Sequence, residues 1–392
     1  MIALCAKRLF TPKDEIQDGL VLIEDGKISE VARRSEREIP RDAKVFDFAR
    51  DFPDCALAPG YLDVHVHGSV GIDLMRSSDS DLPRFQQFLA TRGVTGYFAT
   101  TVAAPMDQTC RALEQMADAI DAAQDGGGRG AIPLGIHLEG PFLSHQRRGV
   151  HAPEYLLTPT VESFDKLWQA ACGHVKMITI APELPGAIEV IAEAARRGVC
   201  VSIGHSDATL EQARAGVRAG ARHATHTFNA MRPLDHRAPG ILGEVLENPR
   251  LTADIIADGI HVAAEVLKLF LQAKGIERAV LITDATAAAG MPDGRYRLGP
   301  IEVEVKNGTC TADGKLAGSV LTMDAAVRNV SNSGGWSLRD AVRAATLNAA
   351  QAVGLKMHGE LKPGGEANFV LLSPLGEVRR TMVHGTLAGP DS

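Results

Sequence analysis

A chain of 392 residues with 45% apolar content is long enough to bury one large domain, or one large and one small. Its 41 basic and 48 acidic residues leave a net charge of -7 with no dense basic run, so nucleic acid is not an expected partner, and an acidic substrate would need a local cationic pocket. The six cysteines, Cys5, Cys55, Cys110, Cys172, Cys200 and Cys310, form no CxxC pair and read as reduced thiols. The opening MIALCAKRLF places its charges after its apolar residues, the reverse of a secretory leader, and no run reaches membrane-spanning length. A soluble cytoplasmic protein with no membrane partner is expected.

The first fifty-odd residues read as short strands. LVLIEDGKISEV carries an Asp25-Gly26 hairpin signal and KVFDFA follows as a further strand. The far end, GGEANFVLLSP and VRRTMVHGTLA, has the same texture. The two ends are therefore expected to pair into one small β domain, residues 1–57 plus 357–392, around a central domain of residues 58–356.

In the centre, strand-like runs alternate with helical ones. The strands are DVHVHG, GVTGYFATT, PLGIHLEG, VKMITIAPE, CVSIGHS, HATHTF, LTADIIADG and AVLITDA, with amphipathic segments such as DQTCRALEQMADAIDAAQ and GAIEVIAEAARRG between. Eight such alternations predict an α/β fold, a (β/α)8 TIM-like barrel, with the small β-sandwich of the chain ends beside it. Thr209 with Gln212 and Ser337 with Asp340 have the spacing of helix caps. The Gly126 to Gly128 run lacks the Lys-Ser/Thr of a phosphate loop and reads as a flexible connection. After the eighth run, IEVEV, Asn307-Gly308 and TCTA predict a hairpin that could lean over the barrel mouth, followed by GKLAGS and helices to about residue 354.

Metal-friendly side chains close several of these strands. His65 and His67 stand at i and i+2 on one strand, hence on one face, and two imidazoles on one face make a chelate. Glu139 ends an otherwise apolar run; a metal would compensate its buried charge, and an internal Arg or Lys is the alternative. His205 in IGHS and His226 in THTF complete a three-ligand N/O set with Glu139 that leaves a position open for water. Asp284 in LITDAT is suited to take a proton from that water. His137 shares the Glu139 face as a further ligand or a donor to one. His151 in RRGVHAP and His261 in ADGIHV lie in loops at the expected mouth, where either could polarise a carbonyl or hold a substrate oxygen. No role attaches to His145, His174, His223, His236, His358 or His384.

Taken together, APGYLDVHVHG, HLEGPF, a Gly-Val-His after Arg-Arg, GHS, THTFNAM, an Arg before Pro-Gly, ADGIH, TDAT, LAGS and ATLNAA resemble the N-acetylglucosamine-6-phosphate deacetylases of the amidohydrolase superfamily, in order and over nearly the whole chain. That resemblance implies hydrolysis of the acetamide of N-acetyl-D-glucosamine 6-phosphate to D-glucosamine 6-phosphate and acetate, in amino-sugar catabolism. The galacto epimer is the near alternative, and a cyclic-amide hydrolase of the same superfamily a more distant one. A non-enzymatic protein on the same scaffold would be expected to lack Asp284 or the ligand set. The resemblance further implies that Glu139, His205 and His226 hold the catalytic metal, that Asp284 is the general base and later acid, and that His151 sits by the acetamide carbonyl. Asn229, the backbone of Ala230, and His261 would contact the sugar phosphate. Backbone groups near Val150 and at Leu316, Ala317 and Gly318 would line the same pocket. Arg237 would reach the phosphate in a neighbouring subunit of a homodimer. Some members carry amides in place of the HxH histidines, so His65 and His67 retain the capacity for a second ion, with Glu139 as the bridge. One or two divalent ions per subunit are expected, zinc first, with iron or manganese also suited to these ligands.

Overall fold

The computed structural model describes residues 1–11, 14–124 and 130–388. The glycine run at 126–128 lies outside the described residues.

Each of the eight central runs forms a strand. Tyr61–Val66, Val94–Thr101, Ile132–Glu139, Val175–Ile180, Cys200–Ile203 and His223–Ala224 lie side by side in that order as one parallel sheet, and Ala253–Ile256 pairs in parallel with Ala279–Ile282. Backbone hydrogen bonds join the two groups, from Ala224 N–H to Thr252 O (3.1 Å) and from Thr227 N–H to Asp254 O (2.9 Å). The last strand returns to the first: Asp284 N–H donates to His65 O (2.9 Å) and His67 N–H to Ala285 O (2.8 Å). The sheet is therefore curled until its ends meet. Its strands are buried on both faces, as in all eight residues of Val94–Thr101, which is why they read as continuous apolar runs rather than alternating ones.

The intervening helices lie where the sequence places them. Leu210–Ala219 starts at a complete capping box, with Thr209 accepting from Gln212 N–H and Gln212 accepting from Thr209 N–H. Ser337 caps Leu338–Ala344 by accepting from Asp340 N–H at 3.2 Å.

The chain ends share one antiparallel-rich sheet. Phe369–Leu372 pairs with Ala56–Pro59, which lies beside Ile2–Phe10, and the hairpin Glu15–Glu24 with Lys27–Arg33 continues it. Asp25 (φ 48°) and Gly26 (φ 73°) make the turn, both left-handed as a two-residue hairpin requires. KVFDFA is a strand only over Lys44–Asp47. Asp47 accepts from Arg50 N–H and turns the chain into a short helix, Phe48–Asp51, where the sequence reading has a strand continue.

After the eighth strand comes a small antiparallel sheet, Gly294–Leu298, Ile301–Lys306, Thr309–Ala312 and Lys315–Leu316, with Asn307 and Gly308 at the tight turn. The first of these strands is absent from the sequence reading, because GRYRL alternates charge with bulk and carries little apolar signal. Gly299 N–H donates to Asp73 Oδ2 at 2.6 Å and ties this sheet to the loop that follows the first parallel strand.

Candidate metal centre and active site

The C-terminal ends of the parallel strands bring His65, His67, Glu139, His205, His226 and Asp284 together. All six are at most 7% exposed. Glu139 lies at the centre. One carboxylate oxygen is 3.0 Å from His226 Nε2, 3.1 Å from His205 Nε2 and 3.5 Å from His65 Nε2. The other is 3.3 Å from His67 Nε2 and 3.5 Å from His151 Nε2. Asp284 approaches His67 Nε2 at 3.1 Å and His65 Nε2 at 3.5 Å. Among the described residues no Lys or Arg pairs with Glu139, so its charge faces imidazoles alone.

Two groups have ligand atoms within 4.8 Å of one another: His65, His67 and Asp284, and Glu139, His151 and His205. The donors are N and O atoms in a buried pocket, which fits a borderline divalent cation. The hydrogen bonds on the far sides of the rings sort the histidines further. Nδ1 of His67, His205 and His226 faces the carbonyls of Thr100 (3.2 Å), Arg147 (2.9 Å) and Asn229 (3.2 Å). A carbonyl only accepts, so each Nδ1 donates and each Nε2 lone pair is available to an ion. His151 is reversed: Ala103 N–H donates to its Nδ1 at 3.1 Å, so the ring proton resides on Nε2 and points into the site.

Electrostatics agree with a cation site. Burial opposes charge on His67, yet hydrogen bonds to Asp284 and Glu139 win and push it up to about 10; His226 rises to about 9 against burial through its hydrogen bond to Glu139. Burial pushes His205 down to about 4. Burial also opposes charge on Glu139, but the charge of His65 and hydrogen bonds from His151, His205 and His226 hold its carboxyl well below the usual carboxylate range. The site thus retains positive charge as protons on imidazoles, and a metal ion would displace them.

His205 (φ 45°), His226 (φ 29°) and Asp284 (φ 50°) all have left-handed backbone, unusual for residues with a Cβ and concentrated here at the working end of the strands. Buried partners hold this geometry. Asp254, fully buried, accepts from His226 N–H with one oxygen and meets His223 Nε2 at 2.9 Å with the other; His223 Nδ1 is 2.6 Å from Thr252 Oγ1. His223, to which the sequence reading gives no role, thus belongs to the support of His226. Its signal was no stronger than an Asp and a His inside two neighbouring strands. His137 lies one layer deeper, its ring edge-on to His65 at 4.6 Å and its Nε2 2.8 Å from Thr179 Oγ1, which makes it a packing neighbour of the ligands.

An open cleft leads to this cluster. Val150, His151, Asn229, Ala230, His261, Leu316 and Gly318 all line it, together with Val102 and Leu298. Asn229 Nδ2 is buried without a partner. His261 Nδ1 is 2.6 Å from Asp258 Oδ2, which orients its ring. Ala317 lies between two lining residues but is fully buried, its N–H bonded to Cys310 O at 3.1 Å. Arg237 is exposed on the 232–239 loop, outside the cleft lining.

A curled parallel α/β sheet carrying a histidine and carboxylate cluster at its C-terminal edge is the build of a metal-assisted hydrolase. The chain belongs to the amidohydrolase family, whose sequence profile matches residues 56–388. It is 38% identical over 362 residues to an N-acetylglucosamine-6-phosphate deacetylase of Lysinibacillus sphaericus, covering 92% of this chain and 90% of that one. It is 37% identical over 387 residues to an N-acetylgalactosamine-6-phosphate deacetylase of Escherichia coli, covering 98% of both. Among solved structures, a mutant N-acetyl-D-glucosamine-6-phosphate deacetylase of Mycobacterium smegmatis in complex with N-acetyl-D-glucosamine-6-phosphate superposes with a TM-score of 0.90 at 34% identity, covering 99% of each chain. No described helix is long and apolar enough to cross a membrane.

Proposed function

We propose that this protein hydrolyses the acetamide of N-acetyl-D-glucosamine 6-phosphate, giving D-glucosamine 6-phosphate and acetate. The observation that carries the reading is the pairing, across Glu139, of a carboxylate beside the HxH pair with a histidine whose Nε2–H points into the cleft. Relatives that span nearly the whole chain supply the substrate class.

Glu139, His205 and His226 would hold the catalytic ion, zinc by preference with iron or manganese as alternatives, and His65 and His67 provide for a second. A divalent ion there supplies acidity to water and polarises a carbonyl. Asp284 accepts the proton of the attacking water. His151 Nε2–H donates to the carbonyl oxygen as it gains negative charge. Asp284 then delivers its proton to the amide nitrogen, which leaves as a neutral amine. Asn229, with its unpartnered amide, the backbone of Ala230, and His261 hold the sugar phosphate. Arg237, exposed on its loop, would reach the phosphate of a neighbouring subunit in a homodimer.

The curled sheet is read as a (β/α)8 barrel formed by residues 58–356, with residues 1–57 and 357–392 as the small β-sandwich domain. Action in the cytoplasm follows from the same reading. A second substrate has specific support: the galactosamine relative matches 98% of the chain at 37% identity, so the 4-epimer is the competing sugar.

Comparing kcat/KM on the two N-acetylhexosamine 6-phosphates and on both unphosphorylated sugars tests this. The expected order is gluco 6-phosphate above galacto 6-phosphate, with the free sugars far below. Equal rates without phosphate would remove the roles of His261 and Arg237, and a preference for the galacto sugar would replace the substrate while keeping the chemistry.

A further inference from the structure

The cleft has two chemically different walls. His67, Glu139, His151 and Asp284 form one; the other is apolar, made by Val102, Val150, Leu298 and Leu316. Val102 and Leu298 belong to a hydrophobic cluster beneath the small antiparallel sheet, separate from the main core, and Val150 packs against that cluster. Val102 is 2% exposed and Leu298 3%, so these two are closely packed, whereas Val150 is half-buried and Leu316 exposed.

Its position is fixed from three directions. Val102 N–H points at Met75 Sδ, 3.1 Å away. Gly299, next to Leu298, is held by Asp73 at 2.6 Å. A Cβ on Gly299 would stand 2.4 Å from Val102 Cγ2, so the hairpin turn presses on Val102 as closely as glycine alone permits. The segment carrying Val102 also sets the polar wall: Thr100 O holds His67 Nδ1 at 3.2 Å, and Ala103 N–H holds His151 Nδ1 at 3.1 Å. One stretch of four residues thus places an apolar side chain between the supports of two imidazoles of the site.

An amide carbonyl carbon carries an oxygen, a nitrogen and an acyl chain. On the deacetylase reading above, on which this inference rests, the oxygen faces His151 and the nitrogen faces Asp284. The acyl chain is the one apolar substituent. We propose that Val102, Val150 and Leu298 are the acyl-recognition wall of the site and restrict it to an acetyl-sized group. A longer chain has to displace packed side chains, and displacing a well-packed wall is unfavourable.

The test is kcat/KM for N-acetyl-, N-propionyl- and N-butyryl-glucosamine 6-phosphate with the wild type, Val102→Ala and Leu298→Ala, each checked by thermal unfolding. Wild type is expected to favour acetyl over butyryl by about 100-fold, since one methylene in an apolar pocket changes rates about 10–200-fold. Either alanine variant is expected to move that ratio toward unity by about tenfold or more. A variant that is merely loosened would lose all three rates alike and keep its ratio. Unchanged ratios in variants that fold and still deacetylate would overturn the wall alone. Wild-type protein that cleaves the butyryl substrate as fast as the acetyl one would overturn it without any variant. Wild type inactive on every N-acyl sugar phosphate would sink the deacetylase reading and the wall with it.

Discussion

The backbone N–H of Ala103 donates to Nδ1 of His151 at 3.1 Å, and this single contact separates His151 from its neighbours. His67, His205 and His226 have carbonyls at the same ring position, so each donates through Nδ1 and turns Nε2 toward the Glu139 and Asp284 carboxylates, where a metal ion would displace any proton it carries. His151 carries its proton on Nε2 and is a donor toward the cleft. His151→Ala is therefore expected to lower kcat by about 10²–10³-fold, the loss typical of one oxyanion donor, while metal content stays as in the wild type. Steady-state kinetics with metal analysis of the same preparation checks this. A variant that loses its metal together with its activity would make His151 a ligand instead.

Asp254 holds His226 through the backbone, accepting its N–H where φ is 29°, and its second oxygen is occupied by His223. Asp254→Asn keeps the shape but weakens the acceptor and disturbs the His223 contact. Metal affinity is expected to fall by about tenfold or more, as when partners of metal ligands are removed, and kcat should return when the divalent ion is supplied in excess. Titrating activity against metal concentration measures both quantities. Activity that stays low at saturating metal would show that Asp254 acts on the chemistry and not on the ligand.

The contrast between these two residues shows what a sequence makes legible. The parallel strands announce themselves because burial on both faces forces apolar runs, and the candidate ligands stand out because a His or Glu at the end of such a run breaks the pattern. His151 could be singled out because RRGVHAP places it in a loop after the third strand. Its tautomer could not, since it depends on a backbone N–H 48 positions away in the chain. Asp254 and His223 stayed hidden for a related reason: their meaning lies in a contact between adjacent strands 31 positions apart, and in sequence each is one polar residue in a strand. The short helix at Phe48 was missed because the Asp47 cap competes locally with β propensity, and the cap prevailed.

Asp63 is fully buried below the histidine and carboxylate cluster and accepts from Thr283 Oγ1 at 2.6 Å. Burial raises its pKa from 3.8 to about 6 despite hydrogen bonds from Thr283 and His65. A carboxyl with a raised folded-state pKa favours the folded protein in its protonated form; that contribution is full below 3.8 and is lost as pH rises through about 6. Between those limits the loss is about 3 kcal/mol. The stability of metal-stripped Asp63→Asn relative to stripped wild type is expected to rise by about that amount between about pH 4 and about pH 7. Denaturant unfolding across this range measures it, and a flat difference would refute the assignment.

The two oxygens of Glu139 divide the imidazoles unequally: one lies 3.1 and 3.0 Å from His205 and His226 with His65 farther off at 3.5 Å, and the other lies 3.3 Å from His67. A carboxylate so divided can face two ions, one on the Glu139, His205 and His226 side and one on the side of His65, His67 and Asp284. Replacing His65 and His67 together by Asn is expected to lower metal content by one ion per chain and to leave the Glu139 ion in place. Chelating all metal from the wild type is expected to abolish turnover. It should also lower stability by about 4 kcal/mol relative to protein held at a thousandfold excess of metal over Kd, because the ion binds the folded chain and not the unfolded one. Counting ions by elemental analysis in wild type and double variant, alongside unfolding with and without chelator, tests both statements. Equal metal content in the two proteins would mean that the HxH pair holds no ion, and Asp284 would then work beside a single metal with the two imidazoles as its charge partners.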